Sequence, residues 1–85
     1  MINQVMKRWE YLKHTHQEVI LLLSHGDFYE AYGTDAVCCA DTLGISVSFN
    51  YDLCTKIARL PSIMIDSYLK KLISSGFRVA FFRDV

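Results

Sequence analysis

The stretch Gly26-Asp27-Phe28-Tyr29-Glu30 constrains the fold more than any other part of the chain, because it joins two segments with the pattern of β-strands. The apolar run Val19 to Leu23 precedes it, and Ala31-Tyr32 continues it. A turn over Ser24 to Asp27 would connect the two segments as a hairpin. The sequence therefore predicts a β-hairpin at this point.

The faces of the second strand follow from the alternation of side chains. Phe28 and Glu30 share one face, and Tyr29 and Ala31 share the other. An unpaired carboxylate in a protein core costs several kcal/mol. We therefore expect Tyr29 and Ala31 to point inward and Phe28 and Glu30 to be accessible. An accessible ring beside an accessible acid suits a partner with a stackable surface and hydrogen-bonding groups.

Three segments have the apolar spacing of amphipathic helices. The first begins at Ile2. The second is expected to start at the N-cap Thr34 and to end at Gly44. The third is expected to start at the N-cap Ser62 and to end at Gly76. The residues that we expect to be buried in the core are Trp9, Leu21, Leu23, Val37, Leu43, Leu69 and Leu72.

Three further strands complete the predicted sheet. Ile45 to Phe49 alternates strictly, and Leu53 to Leu60 returns after a turn. The last strand, Phe77 to Arg83, places Phe81 and Phe82 on opposite faces, which predicts an interior strand with cover on both sides. The predicted fold is an α+β, two-layer domain with a mixed sheet and three helices, in the order α-β-β-α-β-β-α-β. Residues 1–85 are expected to form this single domain.

Charge and composition limit the possible functions. Nine basic and nine acidic residues give a formal net charge of zero, whereas an autonomous DNA-binding domain usually has a basic excess. The longest apolar run of this chain, Val19 to Leu23, is far shorter than the ~20 residues of a membrane-spanning helix. These features predict a cytoplasmic protein with no membrane partner.

The cysteines and histidines form no recognisable site. An odd cysteine count with two adjacent residues indicates reduced thiols rather than a disulfide framework, and no histidine has a second ligand at metal-binding spacing. We expect no metal and no cofactor. These residues are Cys38, Cys39, Cys54, His14, His16 and His25.

The chain resembles the N-terminal mismatch-recognition domain of the MutS mismatch-repair family. The Gly-Asp-Phe-Tyr-Glu stretch is the specific signature, and the flanking segments are similar over nearly the whole chain. These segments are Tyr11 to Lys13, Ile20 to Leu23, Asp35-Ala36, Leu43 to Ser46, Ala58 to Pro61 and Ser67 to Leu72. The resemblance implies that Phe28 wedges into the duplex and stacks on a mispaired base, and that Glu30 hydrogen-bonds that base.

The chain departs from the family pattern around its second hairpin. The family usually has a longer basic loop there, and it has Tyr-His after the proline where this chain has Ser62-Ile63. Lys56 and Arg59 are the local candidates for phosphate contacts. An alternative interpretation places both of them at a solvated strand edge.

Two functions of different classes remain. The first is a DNA-binding module that senses mispaired or distorted duplex, weakly when alone, with a separately encoded MutS-like ATPase or another protein as a possible partner. The second is a protein-interaction domain that keeps the fold without mismatch recognition. The 85 residues contain no Gly-x-x-x-x-Gly-Lys-Ser/Thr loop and no supported catalytic triad, so no enzymatic activity is expected.

Overall fold

The computed structural model describes residues 4–83. Its eight main elements follow the predicted order, and the α+β class with three helices and a mixed sheet is confirmed. Ile2, the predicted start of the first helix, lies outside the described residues. The elements are α1 (Gln4–Thr15), β1 (Val19–His25), β2 (Phe28–Tyr32), α2 (Gly33–Leu43), β3 (Ser48–Asn50), β4 (Thr55–Pro61), a 3-10 turn (Ser62–Met64), α3 (Ile65–Ser74) and β5 (Arg78–Arg83).

The sheet has the strand order β3-β4-β2-β1-β5. Neighbouring strands are antiparallel except β1 and β5, which run parallel. The prediction that the last strand is interior is wrong, because β5 pairs only with β1 among the described strands. Phe82 is covered on the α1 side, but Phe81 is 48% exposed and makes a T-shaped contact with Tyr29 at a centroid distance of 5.2 Å.

Helices cover both faces of the sheet. Ile20 and Leu22 of β1 belong to the core cluster beneath α2 and α3, whereas Leu21 and Leu23 belong to the cluster beneath α1. The predicted two layers are therefore corrected to three, with the sheet in the middle. The physical reason is that β1 is apolar at every position from Ile20 to Leu23, so both of its faces require cover.

The predicted core is only partly confirmed. Leu21, Leu23, Leu43 and Leu72 are buried. The other three expected core residues, Trp9, Val37 and Leu69, are only half-buried. These three lie on helices, each of which has one side against the sheet and one side against solvent.

The ends of the elements correct several predictions. Gly44 ends α2 as predicted, with a φ of 71°. Thr34 is not the N-cap, because α2 starts at Gly33. Ser62 does not cap α3 either; it begins the 3-10 turn, and its N–H donates to the carbonyl of Asp27 at 2.9 Å. The strand predicted from Ile45 is shorter and forms only over β3.

Candidate nucleic-acid interface

The β1–β2 turn presents the central motif at one end of the sheet. Gly26 has a φ of 61°, a conformation that glycine adopts without a steric penalty. His25 pairs with Phe28 across the hairpin, and Phe28 also pairs with Pro61 of β4. The hydrogen bond from Ser62 to Asp27 joins the 3-10 turn to the same end. We call this end, comprising residues 25–28 and 61–64, the tip.

Phe28 lies at the tip as the first residue of β2. It is 40% exposed, in agreement with the expected accessibility. Tyr29 is half-buried and Ala31 is fully buried, so the predicted inward direction of these two residues is confirmed. A ring that is half in solvent at the end of a fixed strand is available for stacking.

Glu30 is buried, so the prediction that it is accessible is wrong. Its side chain is only 8% exposed because β2 is an interior strand, where Glu30 lies between Leu23 of β1 and Arg59 of β4. Its charge is compensated: Arg59 Nε–H donates to Oε2 at 2.9 Å, and the Tyr32 hydroxyl donates to Oε1 at 2.9 Å. The prediction assumed an unpaired carboxylate, and this one has two donors.

The face of the sheet that carries Glu30 is concave. A pocket of about 240 Å³ lies there, between the start of α1 and the β3–β4 loop. Glu30 and Arg59 line it together with His25, Asn50 and Leu53. The tip therefore combines an exposed ring with a neighbouring pocket whose lining includes two carboxylates, Glu30 and Asp52, and one guanidinium, Arg59.

Lys56 and Arg59 are both on β4, but the structure does not bring them together. The strand alternates, so Arg59 shares the face of Ile57 on the α1 side, while Lys56 shares the face of Ala58 on the α2 side. The strand-edge interpretation does not hold for Lys56, which pairs with Phe49 of β3. Arg59 is exposed and lies beyond the last residue of β4 that pairs with β3, Ile57, so this interpretation is not contradicted for Arg59. Lys56 is exposed and takes part in no ion pair within residues 4–83.

A second charge pair, which sequence reasoning missed, lies away from the tip. Lys13 Nζ donates to Asp35 Oδ1 at 2.8 Å and to the Val19 carbonyl at 2.7 Å, and the Leu21 N–H donates to Asp35 Oδ2 at 3.2 Å. Asp35 thus connects α1, β1 and α2. One feature of the sequence could have indicated this pair: Asp35 is an acidic residue beside Ala36, on a helix face that is otherwise apolar.

Cys39 lies near this second pair and is fully buried. Burial, followed by the charges of Asp35 and Cys38, raises the pKa of Cys39 from 9.0 to about 12. The thiol is therefore protonated at neutral pH and is a poor nucleophile.

In the described part of the chain, no three His, Cys, Asp or Glu side chains converge on a metal site. None of the helices in residues 4–83 has the length and hydropathy of a membrane span.

Comparison with known proteins agrees with the resemblance seen in Gly26 to Glu30. A family model described as MutS domain I matches residues 3–85. Curated relatives named DNA mismatch repair protein MutS also match. The protein of Parabacteroides distasonis is 42% identical and that of Bacteroides fragilis 39% identical, each over 79 residues that cover 89% of this chain. The protein of Fervidobacterium nodosum is 37% identical over 79 residues, which cover 93% of this chain.

The matched region is a small part of each relative, since the chain spans 9% of their length. Within that region the similarity is continuous from α1 to β5, and the family model leaves only residues 1 and 2 unmatched. The chain therefore belongs to the MutS domain I family.

Proposed function

We propose that this chain is a DNA-binding module that senses mispaired or distorted duplex DNA. Membership of the MutS domain I family supports this, as the relatives are named DNA mismatch repair proteins. The observation that carries the proposal is the position of Phe28, a partly exposed ring beside a glycine turn at the end of the sheet. We propose no catalytic role for the chain.

Phe28 has the role of a wedge in this proposal. Inserting an apolar side chain between base steps costs a few kcal/mol of unstacking, and the cost is least where a base is already unpaired. Stacking a base on an aromatic ring contributes roughly 1–3 kcal/mol. The balance of these two terms favours a mismatched step over a sound one, so the deformability of the duplex becomes the property that is sensed.

Glu30 has the role of a hydrogen-bond acceptor for the displaced base. It lies two residues along β2 from Phe28, on the same face, in the wall of the pocket beside the tip. A carboxylate is repelled by phosphates and gains a bond only where a base offers a donor, which penalises ordinary duplex. Lys56 and Arg59 are assigned to phosphate contacts.

The test compares the affinities of the 85-residue chain for matched and mismatched duplexes of the same length. The formal net charge is zero, so binding is weak and is measured at one fixed low salt concentration. Phe28→Ala is expected to abolish the preference for mismatched duplex. Phe81→Ala is the matched control, because Phe81 is similarly exposed but lies on the edge strand β5 and on the opposite face of the sheet from Phe28, and it should keep the preference.

Two outcomes contradict the proposal. The first is a wild-type chain with equal affinity for both duplexes, and the second is a preference that survives Phe28→Ala. A circular dichroism spectrum and a thermal unfolding curve for each variant show that it is folded.

A protein-interaction domain is the second candidate function. The observation that favours it is the apolar 3-10 turn beside Phe28, where Ile63 is 93% exposed and Met64 is also exposed. The zero net charge favours it as well. On this proposal the partner is a separately encoded MutS-like ATPase or another protein. Equal wild-type affinity for both duplexes would favour this candidate.

A further inference from the structure

The two donors to Glu30 occupy one acceptor site on each oxygen of its carboxylate. Oε1 accepts from the Tyr32 hydroxyl and Oε2 accepts from Arg59 Nε–H, both at 2.9 Å. Tyr32 is itself fully buried and packs on the ring of Trp9. A base that approaches Glu30 therefore meets a carboxylate whose charge is already compensated, and of the two donors the exposed Arg59 can be displaced more readily than the buried tyrosine.

The Arg59–Glu30 pair is asymmetric in its exposure. The Arg59 side chain is 59% exposed, whereas Glu30 is almost completely enclosed. The guanidinium has five N–H donors in a planar arrangement that suits phosphate oxygens as well as carboxylates. The anion is thus fixed in the sheet, and the cation lies where a DNA backbone can compete for it.

We propose that Arg59 is the residue that sets how strongly the chain discriminates against sound duplex, an inference that rests on the function proposed above. Bound to Glu30, Arg59 neutralises the carboxylate and reduces its repulsion of phosphates. When a duplex phosphate draws Arg59 away, Oε2 accepts a hydrogen bond from an unpaired base. A sound duplex offers no such donor, and the carboxylate is left uncompensated.

This role differs from that of a simple phosphate contact. A cation that only contacts phosphate contributes equally to matched and mismatched duplexes. Lys56 is proposed to make such a contact from the opposite face of the sheet, because it is exposed, lies on the same strand and forms no ion pair with any described residue. Lys56 therefore serves as the matched control for Arg59.

The experiment measures the ratio of mismatched to matched affinity. Arg59→Ala is expected to weaken binding to matched duplex and to raise the ratio roughly twofold to fivefold, the range expected for an ion pair with one exposed partner. Lys56→Ala is expected to weaken both duplexes equally and to leave the ratio unchanged. Each substitution should reduce the slope of log affinity against log salt by about 0.9, if each residue neutralises one phosphate.

Two further variants separate a charge effect from a structural one. Arg59→Lys keeps the positive charge and is expected to restore the wild-type ratio. In a Glu30→Gln background the carboxylate charge is absent, so adding Arg59→Ala should no longer change the ratio. A merely structural Arg59 would give the same ratio in Arg59→Ala as in wild type, and that result would overturn the inference.

The movement of Arg59 is tested directly by ¹⁵N NMR of its Nε–H group, assigned with Arg59→Lys. In the unbound chain this proton is expected to exchange slowly with water. Saturation with mismatched duplex is expected to shift the signal and to accelerate the exchange. If binding saturates and the Arg59 signal does not change, the inference about Arg59 is refuted and the proposed function is not. If the preference for mismatched duplex survives Phe28→Ala, the wedge role of Phe28 is refuted and the Arg59 result stands.

Discussion

Two buried carboxylates, Asp35 and Glu30, have similar partners but different surroundings. Each accepts one hydrogen bond from a basic side chain and one from a second donor. The cation of Asp35 is Lys13, whose side chain is only 19% exposed, whereas the cation of Glu30 is largely in solvent. The Asp35 pair lies between elements, and the Glu30 pair lies beside the tip.

The difference separates a pair that holds the fold from a pair that is available for binding. Removing one partner of an enclosed pair leaves a charge that water does not reach. Removing an exposed partner lets water take its place. We therefore expect the Lys13–Asp35 pair to determine stability and the Arg59–Glu30 pair to influence ligand preference. The following predictions test this contrast.

At neutral pH, the largest effect is expected from Lys13→Ala. This substitution leaves the Asp35 carboxylate with one backbone donor and should lower the free energy of unfolding by about 3 kcal/mol. Urea denaturation followed by circular dichroism measures the change. Lys7→Ala is the control on the same helix, because Lys7 is exposed and lies in no ion pair among residues 4–83. Equal losses in both variants would contradict a special role for Lys13.

An effect that is confined to alkaline pH is expected from Cys39. Burial, with Asp35 and Cys38 adding to it, raises the pKa of Cys39 to about 12. As the pH rises from 9 toward 12, the unfolded chain releases the thiol proton and the folded chain keeps it. Stability should therefore fall over this window by at most about 1.4 kcal/mol per pH unit, with no contribution below it.

Variants identify the source of this alkaline slope. Cys39→Ala should flatten the dependence of the unfolding free energy on pH, whatever its effect at neutral pH. Cys54→Ala is the control for removing an exposed cysteine. A slope that persists in Cys39→Ala would show that groups other than the Cys39 thiol produce it.

The smallest effect on stability is expected from Arg59→Ala, at less than about 1 kcal/mol, because one partner of the pair is exposed and is screened by solvent. The same urea experiment measures it beside Lys13→Ala. A loss as large as that of Lys13→Ala would remove the contrast between the two pairs. It would also mean that Arg59 is required for the fold.

Local patterns predicted the elements well. The hairpin around Gly26, the order of helices and strands, and the helix end at Gly44 all follow from residues close together in sequence. The accessibility of Phe28 was also predicted correctly, because it depends on its place beside the turn. These features are decided by interactions within about ten residues of chain.

The errors arise from contacts between distant residues. Glu30 was expected in solvent because its partner Arg59 is 29 residues away and depends on the register of β2 with β4. The ion pair of Asp35 was not predicted, because its partner Lys13 is 22 residues away. The edge position of β5 was missed for the same reason. Side-chain alternation shows which residues share a face, but it does not show which strand lies alongside.

The double pairing of β2 has a consequence for the entropy of binding. The backbone of Phe28 is fixed by His25 on one side and by Pro61 on the other, and the adjacent turn is fixed by the bond from Ser62 to Asp27. Ordering a flexible backbone costs roughly 1–2 kcal/mol per residue. At the tip this cost is met during folding, so a ligand that stacks on Phe28 has only the side-chain torsions of the ring left to order.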